Sequence, residues 1–120
     1  MSQSMRLPGK TTIAPEVLIS IARLTTLGVD GVSRLATITS DFNRIFNIPE
    51  NEGVKIEVID GRVYADIFVM LKNDVNVREV SRAIQQQVAR AISEMVGMDV
   101  GKVNIHVEDI DFAESKTETA

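Results

Sequence analysis

The sequence predicts an α+β domain of two layers, in which two main helices cover one small, mostly antiparallel sheet. Three observations predict this class. Two stretches repeat apolar residues at helical spacing, two alternating runs are joined by an Asp-Gly pair, and a third alternating run follows the second helix. Helices and strands mixed around an antiparallel hairpin are typical of α+β domains. The expected order is (β)α(β)ββαβ, where parentheses mark two short strands with weaker patterns.

The composition favours one soluble globular domain and excludes several kinds of site. The chain has 120 residues, of which 44% are hydrophobic and 25% charged, so it can bury a core. It has no cysteine and one histidine, which excludes a disulfide scaffold, thiolate metal sites and any site that needs two imidazoles. The sequence shows no run of about 18 apolar residues and no secretory signal at its start.

The charge is concentrated at the C-terminal end. Of the 17 acidic and 13 basic residues, five acids and one base lie in residues 108–120, which leaves twelve of each in residues 1–107. The predicted organisation is a flexible lead-in over residues 1–8, a single domain over 9–112 and an acidic flexible tail over 113–120. A neutral body argues against a protein whose main role is sequence-independent binding of nucleic acid.

The first helix is predicted over residues 15–27. Pro15 suits the first helical position, and Gly28 is a fitting end. Apolar residues recur between them at helical spacing, which predicts an amphipathic helix. The stripe consists of Val17, Leu18, Ile21 and Leu24, with Thr25 as a further candidate member.

Weaker patterns lie on both sides of this helix. Residues 10–13 and 33–38 are predicted as short strands. A short helix that begins at Ser40 or Asp41 and a loop over residues 49–53 are predicted to follow the second of them.

Residues 54–71 give the clearest pattern. Two alternating runs flank Asp60-Gly61, a pair typical of a two-residue type I′ turn, because both positions of that turn need positive φ. The turn fixes the register of the two strands, which sorts apolar residues to one face and polar residues to the other. The predicted cross-strand pairs are Ile59 with Arg62, Val58 with Val63, Ile56 with Ala65, Val54 with Ile67, Lys55 with Asp66, and Glu57 with Tyr64.

The second helix is predicted to begin after Asn76 and to end at Gly97. Glu79 lies three residues after Asn76, which is the spacing of a capping box. Residues 102–107 alternate again and are predicted as a strand that can return beside a parallel partner by a right-handed crossover. The apolar stripe of the helix consists of Val77, Val80, Ile84, Val88, Ala91, Ile92 and Met95.

No catalytic, metal-binding or cofactor-binding constellation is predicted. Gly9-Lys10-Thr11 is similar to the end of a phosphate-binding loop, but Ser4 stands where that pattern requires glycine. His106 is expected to be an exposed strand residue, with Asn104 and Glu108 as neighbours on the same face. The acids that follow it lack the glycine turn of a calcium loop. These observations predict a protein that is not an enzyme and has no cofactor.

One surface pattern is a candidate interaction face on the polar side of the second helix. Its members are Arg78, Arg82, Gln85, Gln86 and Arg90, most of them four residues apart. The face suits an acidic protein partner, an anionic lipid surface or RNA. Glu79 and Glu94 are spaced to pair with Arg82 and Arg90, and a solvated helix face is the ordinary interpretation of such a stripe.

Several short segments in a fixed order and spacing resemble a known family. They include Val29-Asp30-Gly31-Val32, Gly53-Val54-Lys55-Ile56, Asn76-Val77-Arg78-Glu79-Val80, Met95-Val96-Gly97-Met98-Asp99-Val100, and the run from Val103 to Phe112. Between residues 9 and 112 the sequence resembles the alkaline-shock-protein family of bacterial envelope stress-response proteins. It departs from the family at Lys72-Asn73-Asp74, where many members have a Tyr-Gly pair.

The resemblance implies a non-enzymatic cytoplasmic protein of cell-envelope homeostasis. Some members self-associate and gather under the membrane through a membrane-anchored relative. The resemblance therefore implies protein partners, no membrane span in this chain and no small-molecule substrate, and it brings no catalytic residues to this sequence. The alternative function, drawn from the residues alone, is a small RNA-binding module that uses the basic face of the second helix.

Overall fold

The computed structural model describes residues 8–36 and 53–112. Two helices and four strands follow one another there, and their order confirms the predicted α+β arrangement. The elements are α1 (Pro15–Leu27), β1 (Val32–Leu35), β2 (Val54–Ile59), β3 (Arg62–Lys72), α2 (Val77–Val96) and β4 (Asp99–Asp111). The predicted tail, most of the lead-in and the short helix beginning at Ser40 or Asp41 lie outside the described residues.

The central strand of the sheet is β3. It pairs antiparallel with β2 over residues 62–67 and with β1 over residues 69–71, while β4 lies parallel to it over its whole length. Because β4 occupies one edge of β3 throughout, β1 and β2 share the other edge and lie end to end. The sheet therefore combines two antiparallel pairs with one parallel pair, and α2 is the crossover between the parallel strands.

The hairpin of β2 and β3 has the register predicted from its turn. Val54 pairs with Ile67 and Ile59 with Arg62, and the four intervening pairs also match. Asp60 and Gly61 have φ values of 52° and 78°. These positive values are those that a type I′ turn requires.

The ends predicted for α2 are also confirmed. The side chain of Asn76 accepts a hydrogen bond of 3.0 Å from the backbone N–H of Glu79. This bond satisfies one of the amide groups that the first helical turn leaves unpaired. Gly97 ends the helix with a φ of 72°, which is the left-handed conformation that glycine adopts readily.

The strand predicted at residues 10–13 is wrong. These residues have no regular secondary structure, and most of them are exposed. An extended segment becomes a strand only when another strand pairs with it, and the described strands pair with β3 alone and not with this segment. The strand predicted over residues 33–38 forms as Val32–Leu35, and residues 37 and 38 of the predicted range lie outside the described part of the chain.

The core lies between one face of the sheet and the two helices. Alternate residues of β3 point into it and are fully buried, as expected for a strand covered on one face. The helices contribute buried residues at spacings of three and four. The core residues of the sheet include Val54, Val63, Ala65, Ile67, Val69, Leu71 and Val103, and those of the helices are Leu18, Ile21, Ala22, Val80, Ile84, Val88 and Ile92.

Candidate interaction surfaces

An apolar groove of about 630 Å³ lies between α1 and the C-terminal end of α2. Two of the residues that line it are largely exposed, Leu24 at 63% and Met95 at 68%. Glu16 is the one ionisable side chain among the described residues that line it, and Ser20 and Thr25 are its hydroxyl-bearing residues. The apolar lining consists of Ile13, Val17, Ile21, Leu24, Met95 and Val96.

The groove exists because the apolar arc of α1 is wider than the surface that the sheet covers. Leu18 points into the core, whereas Val17 is displaced from it by about 100° around the helix axis and is exposed. Leu24 lies two turns after Val17 and points to the same side. Sequence periodicity placed Val17, Leu24 and Met95 on apolar helix stripes, and the structure shows that all three side chains are exposed.

The predicted basic face of α2 is divided into parts with different roles. Arg78, Arg82 and Gln85 border an open depression, and no described carboxylate pairs with either arginine. The side-chain amide of Gln85 donates a 3.0 Å hydrogen bond to the carbonyl oxygen of Val103, so this residue also attaches α2 to β4.

Farther along α2, Arg90 forms the predicted ion pair with Glu94 at 3.2 Å, and both side chains are largely exposed. Gln86 is exposed between these two parts of the face. The face is therefore less continuous and less basic than its spacing predicts. Its role as an interaction site stays a prediction.

A polar cluster lies on the sheet face opposite the helices. His106 Nε2 lies 2.9 Å from Asp66 Oδ1, and the side-chain amide of Asn104 donates to the same oxygen at 3.2 Å. The His106 ring stacks on Phe68 with 4.4 Å between ring centroids, and Lys55 Nζ lies 5.8 Å from the Phe68 centroid. The cluster thus joins side chains of β2, β3 and β4.

The sequence predicted the exposed face for His106 but not its partners. Phe68 and His106 are directly opposite each other in the parallel pairing of β3 and β4, which no local turn specifies. Asn104 is the predicted same-face neighbour. Glu108 is not in the cluster, because it is the extra residue of a β-bulge and Asp109 pairs with the next residue of β3.

The hydrogen bond from His106 holds the pKa of Asp66 below its ordinary value of 3.8. Partial burial acts in the opposite direction, while the amide of Asn104 and the charges of His106 and Lys55 lower the pKa further. Asp66 is therefore an anion over the physiological range, and it orients the imidazole that stacks on Phe68.

Asp66→Asn should lower stability near neutral pH and lose this effect in acid. Because the folded pKa of Asp66 lies below the unfolded value, its contribution is present above pH 3.8 and disappears as the pH falls through the lowered pKa. The side chain is 39% exposed, so solvent screening keeps the effect below about 1 kcal/mol. Urea midpoints of the wild type and the variant at pH 7 and pH 2.5 measure it.

Glu57→Gln is the matched control for Asp66→Asn. Glu57 lies on the same sheet face in β2, and its side chain makes no hydrogen bond with another described residue. The difference in unfolding free energy between Glu57→Gln and the wild type should change less with pH than the difference between Asp66→Asn and the wild type. An Asp66→Asn difference that is the same at both pH values would contradict the linkage.

Two further properties concern the described residues as a whole. None of their helices has the length and apolarity needed to cross a membrane. Residues 8–36 and 53–112 also contain no group of three or more His, Cys, Asp or Glu side chains placed to hold a metal ion.

The arrangement of helices and strands is shared with solved structures of the MamM CTD. Two variants of that domain each align with a TM-score of 0.53 and cover 80% of this chain. The alignments cover 96% and 95% of the respective MamM chains, at identities of 14% and 13%. At these identities the similarity establishes a common fold.

The family follows from the sequence comparisons. The family model of alkaline shock protein 23, described as having a cell envelope-related function, matches residues 3–112. The chain therefore belongs to this family, as the resemblance of its segments predicted.

Two relatives show the same relationship. Spy1535 of Streptococcus pyogenes is 37% identical over 105 residues, which span 85% of this chain and 79% of that protein. YqhY of Bacillus subtilis is 27% identical over 106 residues, which span 87% of this chain and 78% of that protein.

Proposed function

We propose that the protein is a non-catalytic scaffold of the cell envelope, which works in the cytoplasm near the membrane by binding protein partners. The family supplies the envelope-related role. The observation that carries the protein-binding part is the apolar groove between α1 and α2. Solvent-exposed apolar surfaces that are contiguous and rimmed by polar residues are typical of protein interaction sites.

The chemistry of the groove favours binding over catalysis. Catalytic pockets bring together several ionisable or hydrogen-bonding groups around a reacting atom. The groove offers one carboxylate, that of Glu16, at the edge of an apolar lining. Leu24 and Met95 are 63% and 68% exposed, so their burial under a partner would contribute about 1–2 kcal/mol for each side chain before the costs of association.

Affinity capture from the organism that encodes the protein tests this proposal. We expect the tagged full-length chain to retain a specific set of envelope proteins, with and without nuclease, and one of them to bind the chain directly after purification. The double variant Leu24→Gln/Met95→Gln should retain less of that protein. Leu27→Gln is the matched control, because Leu27 is 42% exposed on the same helix but does not line the groove.

Two results would overturn the scaffold proposal. Capture of RNA-associated proteins alone, lost on nuclease treatment, would support the RNA-binding alternative and overturn the scaffold. Absence of any purified envelope protein that binds directly would also overturn it.

A further inference from the structure

We infer that the groove between α1 and α2 binds a cationic amphipathic helix of a partner protein. This inference rests on the proposed scaffold function and names the kind of segment that the scaffold would bind. Three features carry it: the direction of the groove, the spacing of its exposed apolar side chains and the sign of its charge.

The groove follows the axis of α1, and its apolar side chains recur at helical spacing. Val17 and Leu24 are seven residues apart, which places them about 10 Å apart along the axis on one side of the helix. Ser20, a small residue, lies between them. A second helix can insert its apolar ridge between such side chains over about two turns, as in other grooves that bind helices.

The groove carries a net negative charge, because the full charge of Glu16 exceeds the partial positive charge of the α1 N-terminus beside it. Glu16 lies in the first turn of α1, at the rim of the groove. The last turn of α2, which contributes Met95 and Val96, has no basic residue to offset the partial negative charge of its carbonyl groups. A partner helix with lysine or arginine beside its apolar stripe complements both features, whereas an acidic helix would be repelled.

The test uses two synthetic amphipathic peptides of about five helical turns that share one leucine stripe. One has lysine and the other glutamate at every polar position, and fluorescence anisotropy measures their binding to the full chain. We expect the lysine peptide to bind at least about tenfold more tightly than the glutamate peptide. Glu16→Gln should reduce this preference, most strongly at low ionic strength.

The groove variants locate the binding site. Leu24→Gln/Met95→Gln should weaken binding of the lysine peptide at least about tenfold, because both apolar anchors are removed and glutamine is compatible with a helix. Leu27→Gln should change binding by less than about twofold. Circular dichroism and urea midpoints of the three proteins verify that their folds are equivalent.

Several results would overturn the inference. These are equal binding of the two peptides, an unchanged affinity in the double variant, and a loss of affinity in Leu27→Gln as large as in the double variant. Sedimentation that shows self-association of the wild type, abolished in the double variant, would assign the groove to a second copy of the chain instead.

The inference and the scaffold proposal can fail separately. If the double variant still binds the purified envelope partner as the wild type does, the scaffold proposal stands and the groove is not its site. If no envelope protein binds the wild type, the scaffold proposal fails whatever the peptides show.

Discussion

Gly53→Ala should destabilise the domain by about 3–5 kcal/mol, whereas Gly61→Ala should cost about 1 kcal/mol. Both glycines have positive φ, 88° and 78° respectively, so alanine is strained at either position. They differ in their surroundings. A Cβ at Gly61 would meet no atom within 4 Å, while a Cβ at Gly53 would lie 2.7 Å from the carbonyl oxygen of Ala36 and 2.8 Å from that of Phe68.

The position of Gly53 in the sheet explains this crowding. It lies between the end of β1 and the beginning of β2, where both strands meet the same edge of β3. The N–H of Phe68 donates to the carbonyl oxygen of Gly53 at 2.7 Å, and the N–H of Ala36 donates to that of Phe68 at 2.8 Å. A side chain at Gly53 would therefore push apart backbone segments that are hydrogen-bonded to one another.

Urea unfolding of the two glycine variants measures the difference. Both positions have positive φ, so alanine is strained at each of them. The additional loss of unfolding free energy in Gly53→Ala therefore measures the contact with the two carbonyl oxygens. Equal midpoints for the two variants would show that the sheet relaxes around position 53 without cost. For a small domain a loss of about 3–5 kcal/mol is a large part of the total stability, so the yield of folded Gly53→Ala should also fall.

Ile67→Ala should lower the free energy of unfolding by about 2–5 kcal/mol. Ile67 is fully buried at the centre of β3, where it pairs with Val54 of β2 and Ile105 of β4. Its truncation removes apolar contacts and leaves a cavity that neighbouring strands on both sides can fill only in part. Thermal and urea unfolding should both show the loss.

Ile59→Ala is the matched control for Ile67→Ala. Ile59 belongs to the same hairpin but is 47% exposed beside the turn. Its truncation should cost less than about 1 kcal/mol, because much of the side chain is in water in the folded state. A loss at Ile59 as large as that at Ile67 would contradict the assignment of the core to the helix-covered face.

Local chemistry explains why the hairpin and α2 could be predicted closely. The Asp60-Gly61 turn fixes which residues of β2 and β3 are opposite each other, so one dipeptide determines six pairs. Asn76 and Gly97 act on backbone groups within the adjoining helical turns. In each case the interacting groups are only a few residues apart along the chain.

The candidate interaction surfaces could be predicted only in part. The regular spacing of the basic and glutamine residues predicted the basic face of α2. It did not predict that Gln85 donates a hydrogen bond to Val103 and so attaches α2 to β4. The groove had one signal in the sequence. Leu24 belongs to the apolar stripe of α1, and Met95 belongs to that of α2. Periodicity shows that such residues lie on an apolar side of a helix, but it does not show how much of that side the neighbours cover.

The sequence by itself determined the α+β class, both helices, the hairpin and its register, because each depends on periodicity, capping or turn chemistry within a short stretch. Only the tertiary structure decided the parallel pairing of β3 with β4, which brings His106 to Asp66 across 40 positions of sequence. It also decided that Leu24 and Met95 stay exposed. The physical reason is that strand pairing between distant segments and the covering of a helix depend on the packing of the whole domain, which no local pattern encodes.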